Sequence, residues 1–438
     1  MMKRSLINNA ISFYREEGAR NTIARSLHRL AGAVEITPDE ALPQSLDPAG
    51  FFPPEAMPIP IRKVANTSGR KRLSLVLPTV NQEHLYAGAW TALKIFWEAG
   101  RKNDFRLRII SANSPFSTEG LEKLDFVGPG EVDRIESWQR EGNIPCDVED
   151  DEIFIVTAWW TAYVIRELEN TNRIFYLVQD FEPGFYSWSY RYVLALESYK
   201  LKYAKIFNTP ILYEFFKEQK LLSGEDEVYF EPGIDTKLFN PGVKAGQTGD
   251  FKAGYKKTGK ATILLYGRPA VTRNLFELAI LSLDRFLTAN PSYREKIQEI
   301  ISVGEKHDSL VAGGFRIESR GKMSMTEWAR MARESDIGIS LMCSPHPSYP
   351  PLEMVASGML VVTNRIYNKD LSTISDNFIA ADMNIEDIAG AIKTAIDRLD
   401  DQDAIRSNAE EFISKRDWDQ NLMETTGFIS EKLSTQGG

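Results

Sequence analysis

From Arg72 onward, short apolar and β-branched runs alternate with stretches whose apolar residues recur at helical spacing. RLSLVLPT, FRLRIISA, EIFIVTAWW, RIFYLVQD and AKIFNTP form a first series of predicted strands, closed by EVYFEPGID. ATILLYGR, IQEIISVGE, FRIESRGK, IGISLMCS, LVVTN and FIAAD form a second series. Strands that are apolar throughout are buried on both faces, so each series predicts a parallel sheet covered by helices. The fold class is therefore α/β: two Rossmann-like halves, residues 70–240 and 241–415, joined near 233–245. Their strands end at a central cleft. Residues 416–438 read as a C-terminal helix that crosses back to the first half.

The first 69 residues have a different pattern. Ile7, Ile11 and Tyr14, then Ile23, Leu27 and Leu30, have helical spacing broken near Gly18. Six basic residues stand against two acidic ones up to residue 32. Such a basic amphipathic helix lies on an anionic membrane surface, or it packs against its own domain or a partner. Both readings stay open. Residues 33–68 are proline-rich and aperiodic, and predict an irregular connector.

Composition narrows the class. A chain of 438 residues exceeds one ordinary core. The shares of hydrophobic residues (43%) and charged residues (26%) suit a soluble globular protein. No apolar run is long enough to span a bilayer, and the N-terminus has no apolar h-region. Two cysteines, Cys146 and Cys343, are too few for a disulfide framework, so a cytoplasmic location is expected. A net charge of −9 argues against nucleic acid as a partner.

The familiar phosphate-loop, zinc-protease and nucleophile-elbow motifs do not occur. Two Asp-x-Asp triplets, Asp401/Asp403 and Asp417/Asp419, fall in helical sequence, and metal binding is not expected there. The four histidines give no basis for a metal centre of several histidines. What remains is a group of small and charged residues at predicted strand ends. YGRPAVTRN places Gly267, where a ligand approaches the backbone, beside Arg268 and Arg273, which suit phosphate oxygens. Lys322 lies at another strand end, just before a helix with Ser324 and Glu327 at capping-box spacing. In SPHPSYPPLEMVASG, Pro350 and Pro351 set the first turn of a helix that is expected to hold Glu353 ionised in that turn. Cations for a diphosphate and a carboxylate for sugar or ribose hydroxyls point to a nucleotide-sugar site, with Tyr349 on the same loop.

These residues carry a resemblance. Gly233-Ile234-Asp235 with Phe239, YGR with Arg273 five residues on, SDIGISL, and PLEMVASG followed by VVTN resemble the donor-binding half of GT-B glycosyltransferases of the retaining, family-four type. VQDFEPGFYSWS and SPHPSYPPLEM are similar to motifs of bacterial rhamnosyltransferases of surface-polysaccharide assembly, which use dTDP-L-rhamnose. The resemblance implies a nucleotide-sugar donor, a glycan or lipid-linked glycan acceptor and catalysis without a metal cofactor. It also implies a cytoplasmic enzyme, at most peripheral on the inner membrane face. That family has a Glu-x7-Glu pair; here Pro345 occupies the first position and Glu353 stands alone. Gly88, in Ala87-Gly88, matches a glycine-rich loop that faces the donor diphosphate. Asp180 and Glu182, in QDFEP, are expected to orient the acceptor or to cap the next segment, and His84 to be a base, an acceptor ligand or surface. Trp159 and Trp160 are read as stacking faces for sugars or as core. Catalytic weight falls on Glu353, Arg268 and Asp180. A nucleotide-sugar epimerase and a catalytically silent binding subunit remain as alternatives.

Overall fold

The computed structural model describes residues 52–434 apart from 79–87, 113–119, 129, 141–143, 169–170, 223–225, 243–254 and 256–257. The expected N-terminal helices and His84 lie outside those residues.

In the first half the strands are β1 (Ile61–Val64), β2 (Arg72–Leu77), β3 (Arg106–Ser111), β4 (Glu136–Gln139), β5 (Cys146–Glu149), β6 (Ile153–Val156), β7 (Ile174–Val178), β8 (Ala204–Asn208) and β9 (Glu227–Phe230). Seven of them form one sheet in the order β4-β3-β2-β6-β7-β8-β9, every neighbour parallel. β1 and β5 make a separate parallel pair. The second half has β10 (Ala261–Gly267), β11 (Ile297–Gly304), β12 (Leu310–Ala312), β13 (Phe315–Ser319), β14 (Ile337–Ile339), β15 (Leu360–Asn364) and β16 (Phe378–Ala381). Their order is β12-β13-β11-β10-β14-β15-β16, parallel except for the β12–β13 hairpin at the edge. Each sheet starts in its middle, grows to one side and then to the other. The reversal lies between β2 and β6 and between β10 and β14, the places where such sheets take ligands at their carboxyl ends.

The helices are α1 (Gly88–Asn103), α2 (Trp159–Val164), α3 (Tyr190–Ser198), α4 (Pro210–Glu218), α5 (Phe276–Ala289), α6 (Met325–Glu334), α7 (Tyr349–Ala356), α8 (Ile385–Asp397), α9 (Gln402–Ser414) and α10 (Trp418–Ser434). Leu73, Leu75 and Leu77 of β2 meet Leu93 and Phe96 of α1 in one core; Ile263 and Leu265 of β10 meet Leu283 and Ile392 in another.

The chain passes between the halves twice. After β9, Ile234 and Phe239 enter the core of the second half, while Asp235 Oδ1 accepts from Lys237 N at 3.0 Å and fixes the turn. After α9 the chain returns, and Leu422 and Ile429 of α10 join the core of the first half. The two passages run side by side. Ile234 N donates to Arg416 O at 2.9 Å, and Arg416 pairs with Glu231 at 2.5 Å. Gly233 packs against Trp418 so closely that a Cβ would run into the indole ring. Gly233→Ala should therefore lower the melting temperature, with a cost of roughly 1–3 kcal/mol from overpacking. An unchanged melting curve would show that Trp418 can move aside.

Candidate functional site

β10 ends at Gly267, and the chain continues through Arg268 into a 3-10 turn, Thr272–Asn274, before Leu275 adopts a left-handed conformation (φ 51°) and α5 begins. Arg268 and Arg273 thus precede the helix and are not in its first turn. Gly267 has another reason than ligand approach: a Cβ there would overlap Ser302 Oγ and lie 2.9 Å from the Phe276 ring. The glycine lets β10 and β11 pack beneath α5. The Tyr266 hydroxyl gathers the charges. Burial raises its pKa, Arg268 opposes this by charge and hydrogen bond, and Glu353 and Arg273 also act on it. Arg268, Arg273 and Glu353 thus all act on Tyr266 at the carboxyl end of β10, while Glu353 is itself held by Trp328.

Glu353 is the fifth residue of α7, beyond the first turn where the sequence put it, because the helix already starts at Tyr349. Trp328 Nε1 of α6 donates to its Oε2 at 2.6 Å. Burial pushes its carboxyl up to about 7, and the Trp328 hydrogen bond only partly offsets this. Where the sequence led to a carboxylate held ionised by the helix dipole, loss of water works against ionisation. Tyr349 points the other way. Its hydroxyl lies 3.0 Å from Thr91 Oγ1 of α1 and accepts from Asn208 Nδ2 of β8 at 3.4 Å, which joins the two halves.

Across the cleft, the segment after β7 contributes Asp180 and Glu182, both buried. Asp180 Oδ1 accepts from Phe181 N at 2.8 Å and from the Ser344 hydroxyl of the opposite half. Glu182 Oε2 accepts from Trp159 N at 2.8 Å, and burial lifts its pKa to about 8. Two buried residues of the second half, His346 and Lys369, feel the charge of Asp180, and the sequence did not single them out for this. Burial lowers His346 to about 4 against the pull of Asp180, and lowers Lys369 to about 7. His346 Nδ1 accepts from Ser348 N at 3.0 Å, so the neutral ring carries its proton on Nε2. Lys369 Nζ donates to Met342 O at 2.8 Å. His346 lies in the proline-rich loop, a signal that could have found it; Lys369 has none.

Arg273 also crosses the cleft. Its guanidinium sits 4.1 Å from the centre of the Phe185 ring, and burial lowers its pKa. Its carbonyl accepts from the backbone N of Cys343, an exposed residue, at 2.7 Å. Buried polar atoms without a hydrogen-bond partner collect here. They are on Gln179, Glu182 and Asn208 in the first half and on Arg273, His346 and Asn368 in the second. All six follow or end a strand at its carboxyl end. Unpaired buried polar groups are costly, and a hydroxyl-rich ligand relieves the cost.

The remaining candidates lie as follows. Gly88 begins α1, and a Cβ there would come 2.7 Å from Gln179 Oε1, so the glycine admits that side chain. Lys322 is exposed at the end of β13, before the Ser324/Glu327 capping box of α6. Trp159 is buried, with Nε1 donating to the Tyr186 hydroxyl at 2.9 Å, so it offers no face to a sugar; Trp160 is half-buried against the core. Asp401 Oδ1 caps α9 and Asp417 Oδ1 accepts from Gln420 N at 2.8 Å, while Asp419 pairs with Lys94 at 2.8 Å. Among the described residues no group of three or more histidines, cysteines or acids is placed to hold a metal ion, and no helix is long and apolar enough to cross a membrane.

Comparison with known proteins gives two family matches, "WsaF, N-terminal domain" over residues 72–210 and "WsaF, C-terminal domain" over residues 261–393. The O-antigen biosynthesis protein RfbC of Myxococcus xanthus is 29% identical over 349 residues, which are 77% of this chain and 25% of that protein. The chain thus spans a quarter of the length of that relative. Among solved structures, sucrose-phosphate synthase of Thermosynechococcus elongatus superimposes with a TM-score of 0.59 at 12% identity, covering 84% of this chain and 100% of the other. HepE of Anabaena, solved with UDP and glucose, gives 0.56 at 13% identity, covering 84% of this chain and 100% of the other. At such identities the likeness is one of fold, and that fold is GT-B.

Proposed function

The chain belongs with the proteins built from the WsaF N-terminal and C-terminal domains, and from that premise we propose that it is a glycosyltransferase of surface-polysaccharide assembly. Its donor is a nucleoside-diphosphate sugar, dTDP-L-rhamnose, and its acceptor is a glycan or lipid-linked glycan. The enzyme works on the cytoplasmic face of the membrane. The observation that carries the reading is the meeting of Arg268, Arg273 and Glu353 around Tyr266, at the point where the order of the second sheet reverses. The name of the Myxococcus relative and the UDP in the HepE complex support it.

The roles follow from the geometry. Arg268 and Arg273 stabilise the charge that builds on the departing diphosphate, the kind of contribution that usually dominates such transfers. Glu353 accepts hydrogen bonds from donor hydroxyls, held in place by Trp328. Asp180, Glu182 and His346 face the acceptor side, where His346 Nε2–H is a buried donor for a sugar oxygen. The contacts of Tyr349 and Ser344 with the first half close the cleft against water that would otherwise hydrolyse the donor.

Thermal shift tests the reading. dTDP and dTDP-L-rhamnose should raise the melting temperature more than UDP-, GDP- or ADP-sugars, because at equal concentration the tighter ligand stabilises the folded state more. Transfer should survive EDTA, the arginines supplying the positive charge. Greater stabilisation by GDP-sugars would remove the donor assignment, and a strict Mg²⁺ requirement would remove the role given to the arginines.

A further inference from the structure

The segment that supplies Asp180 and Glu182 continues into an aromatic surface that the site has not yet used. Phe185 closes a 3-10 turn, Glu182–Phe185, and α3 follows after Tyr186 to Ser189. Trp188 is 95% exposed, Tyr190 56% and Val193 54%. Lone exposed apolar residues are ordinary, but aromatic rings held together in water call for an explanation. Trp188 and Tyr192 stack with planes 4° apart and centroids 5.8 Å apart. Ser189 Oγ accepts from Tyr192 N at 3.4 Å, which fixes the start of α3. Arg191 lies 5.9 Å from the Tyr190 ring and pairs with Glu55.

We propose that this platform, Phe185 with Trp188, Tyr190 and Tyr192, is the binding track for an oligosaccharide acceptor, whose growing end lies at Asp180 and Glu182 and whose preceding sugars stack on Trp188 and Tyr192. The proposal rests on the glycosyltransferase reading. Three observations carry it. The track is continuous with the candidate site: Phe185 holds the guanidinium of Arg273 at 4.1 Å, and Trp188 follows only three residues on, within roughly 10 Å of chain. Rigid aromatic faces with polar rims, here the Tyr190 hydroxyl, Ser187 and Arg191, match the apolar faces and hydroxyl edges of sugar rings at little entropic cost. Charge gives no pull toward an anionic lipid surface: Arg191 is already paired with Glu55, and Glu197 on the same helix pairs with Lys200.

The test uses the full chain and its Trp188→Ala and Tyr192→Ala variants. Calorimetry would measure binding of tetrasaccharides from rhamnan, mannan and dextran, of the matching monosaccharides, and of dTDP. At least one tetrasaccharide should bind the wild type, and Trp188→Ala should weaken it by about tenfold or more, on the scale of an interface hot spot. Monosaccharide and dTDP binding should stay as in the wild type. No tetrasaccharide binding, or binding unaltered in Trp188→Ala, overturns the proposal. Flotation with phosphatidylcholine/phosphatidylglycerol vesicles that depends on Trp188, without glycan binding, overturns it in favour of a lipid contact. A wild type that binds glycan but neither dTDP nor any nucleotide sugar contradicts the donor reading instead, so the two failures are distinct.

Discussion

Arg273→Ala should weaken donor binding by roughly 2–5 kcal/mol, or about thirtyfold to several thousandfold, the range for truncating one member of a desolvated charge contact. The side chain is costly as it stands. Its guanidinium is enclosed enough to lower its pKa, its Nε makes no hydrogen bond, and its face rests on Phe185. Asp180 and Glu182 act on it only through space, and burial keeps Glu182 protonated up to about pH 8. In the proposed function a diphosphate is the missing anion. Because the free protein holds an incompletely paired cation, alanine should leave the melting temperature equal or higher while donor affinity falls. Lysine keeps the charge but loses the planar fork and its stacking, so it should restore affinity only in part. Titration of the two variants with donor, beside their melting curves, separates these effects. Unchanged donor affinity in Arg273→Ala would make the residue a clamp between the halves.

Glu353→Gln should lower kcat/KM about ten- to a hundredfold, since a hydrogen bond to a charged group contributes roughly 1.5–3 kcal/mol. Gln can still accept from Trp328 Nε1, which keeps the side chain in place. The pH dependence gives an independent signature. The carboxyl titrates near 4.5 in the unfolded chain and at about 7 in the folded protein. Between those values the native state holds a proton that the unfolded state has released, so stability from this group declines as pH rises from 4.5 and levels off above about 7. Gln removes that decline. In donor kinetics the wild type should gain kcat/KM as pH passes about 7 and the carboxylate ionises, whereas the variant should be low and lack that step. A variant with wild-type kinetics and only an altered melting profile would confine Glu353 to the packing of α7 on α6.

The sequence announced the sheets because their central strands, such as Ile153–Val156 and Ile263–Tyr266, are apolar runs between clear breaks. It did not announce β1, β4, β5 or β12. IRKV, ESWQ and CDVE are polar, and LVA is only three residues long, so no hydrophobic period marks them. The cationic strand ends at Arg268 and Arg273 were legible, because basic residues after an apolar strand stand out. What those residues meet was not. The rise of the Glu353 pKa depends on enclosure and on Trp328 from another helix, and the Asp180–Ser344 bond joins residues 164 positions apart. Gly267 was noticed for a ligand and is needed for Ser302 and Phe276. The tandem Trp159-Trp160 drew attention, while exposure, which no local pattern reveals, selects Trp188.

The double passage between the halves also orders the birth of the protein on the ribosome. Leu422 and Ile429 complete a core whose other members lie between Leu73 and Phe230. The first half is thus synthesised first but cannot be finished until α10 emerges, after every strand of the second half has been made. Nascent chains that fold from the N-terminus expose unfinished cores while they wait. In this protein, the apolar surface that α10 covers around Phe175 and Phe230 stays uncovered through the synthesis of the whole second half, a long opening for a chaperone to engage it.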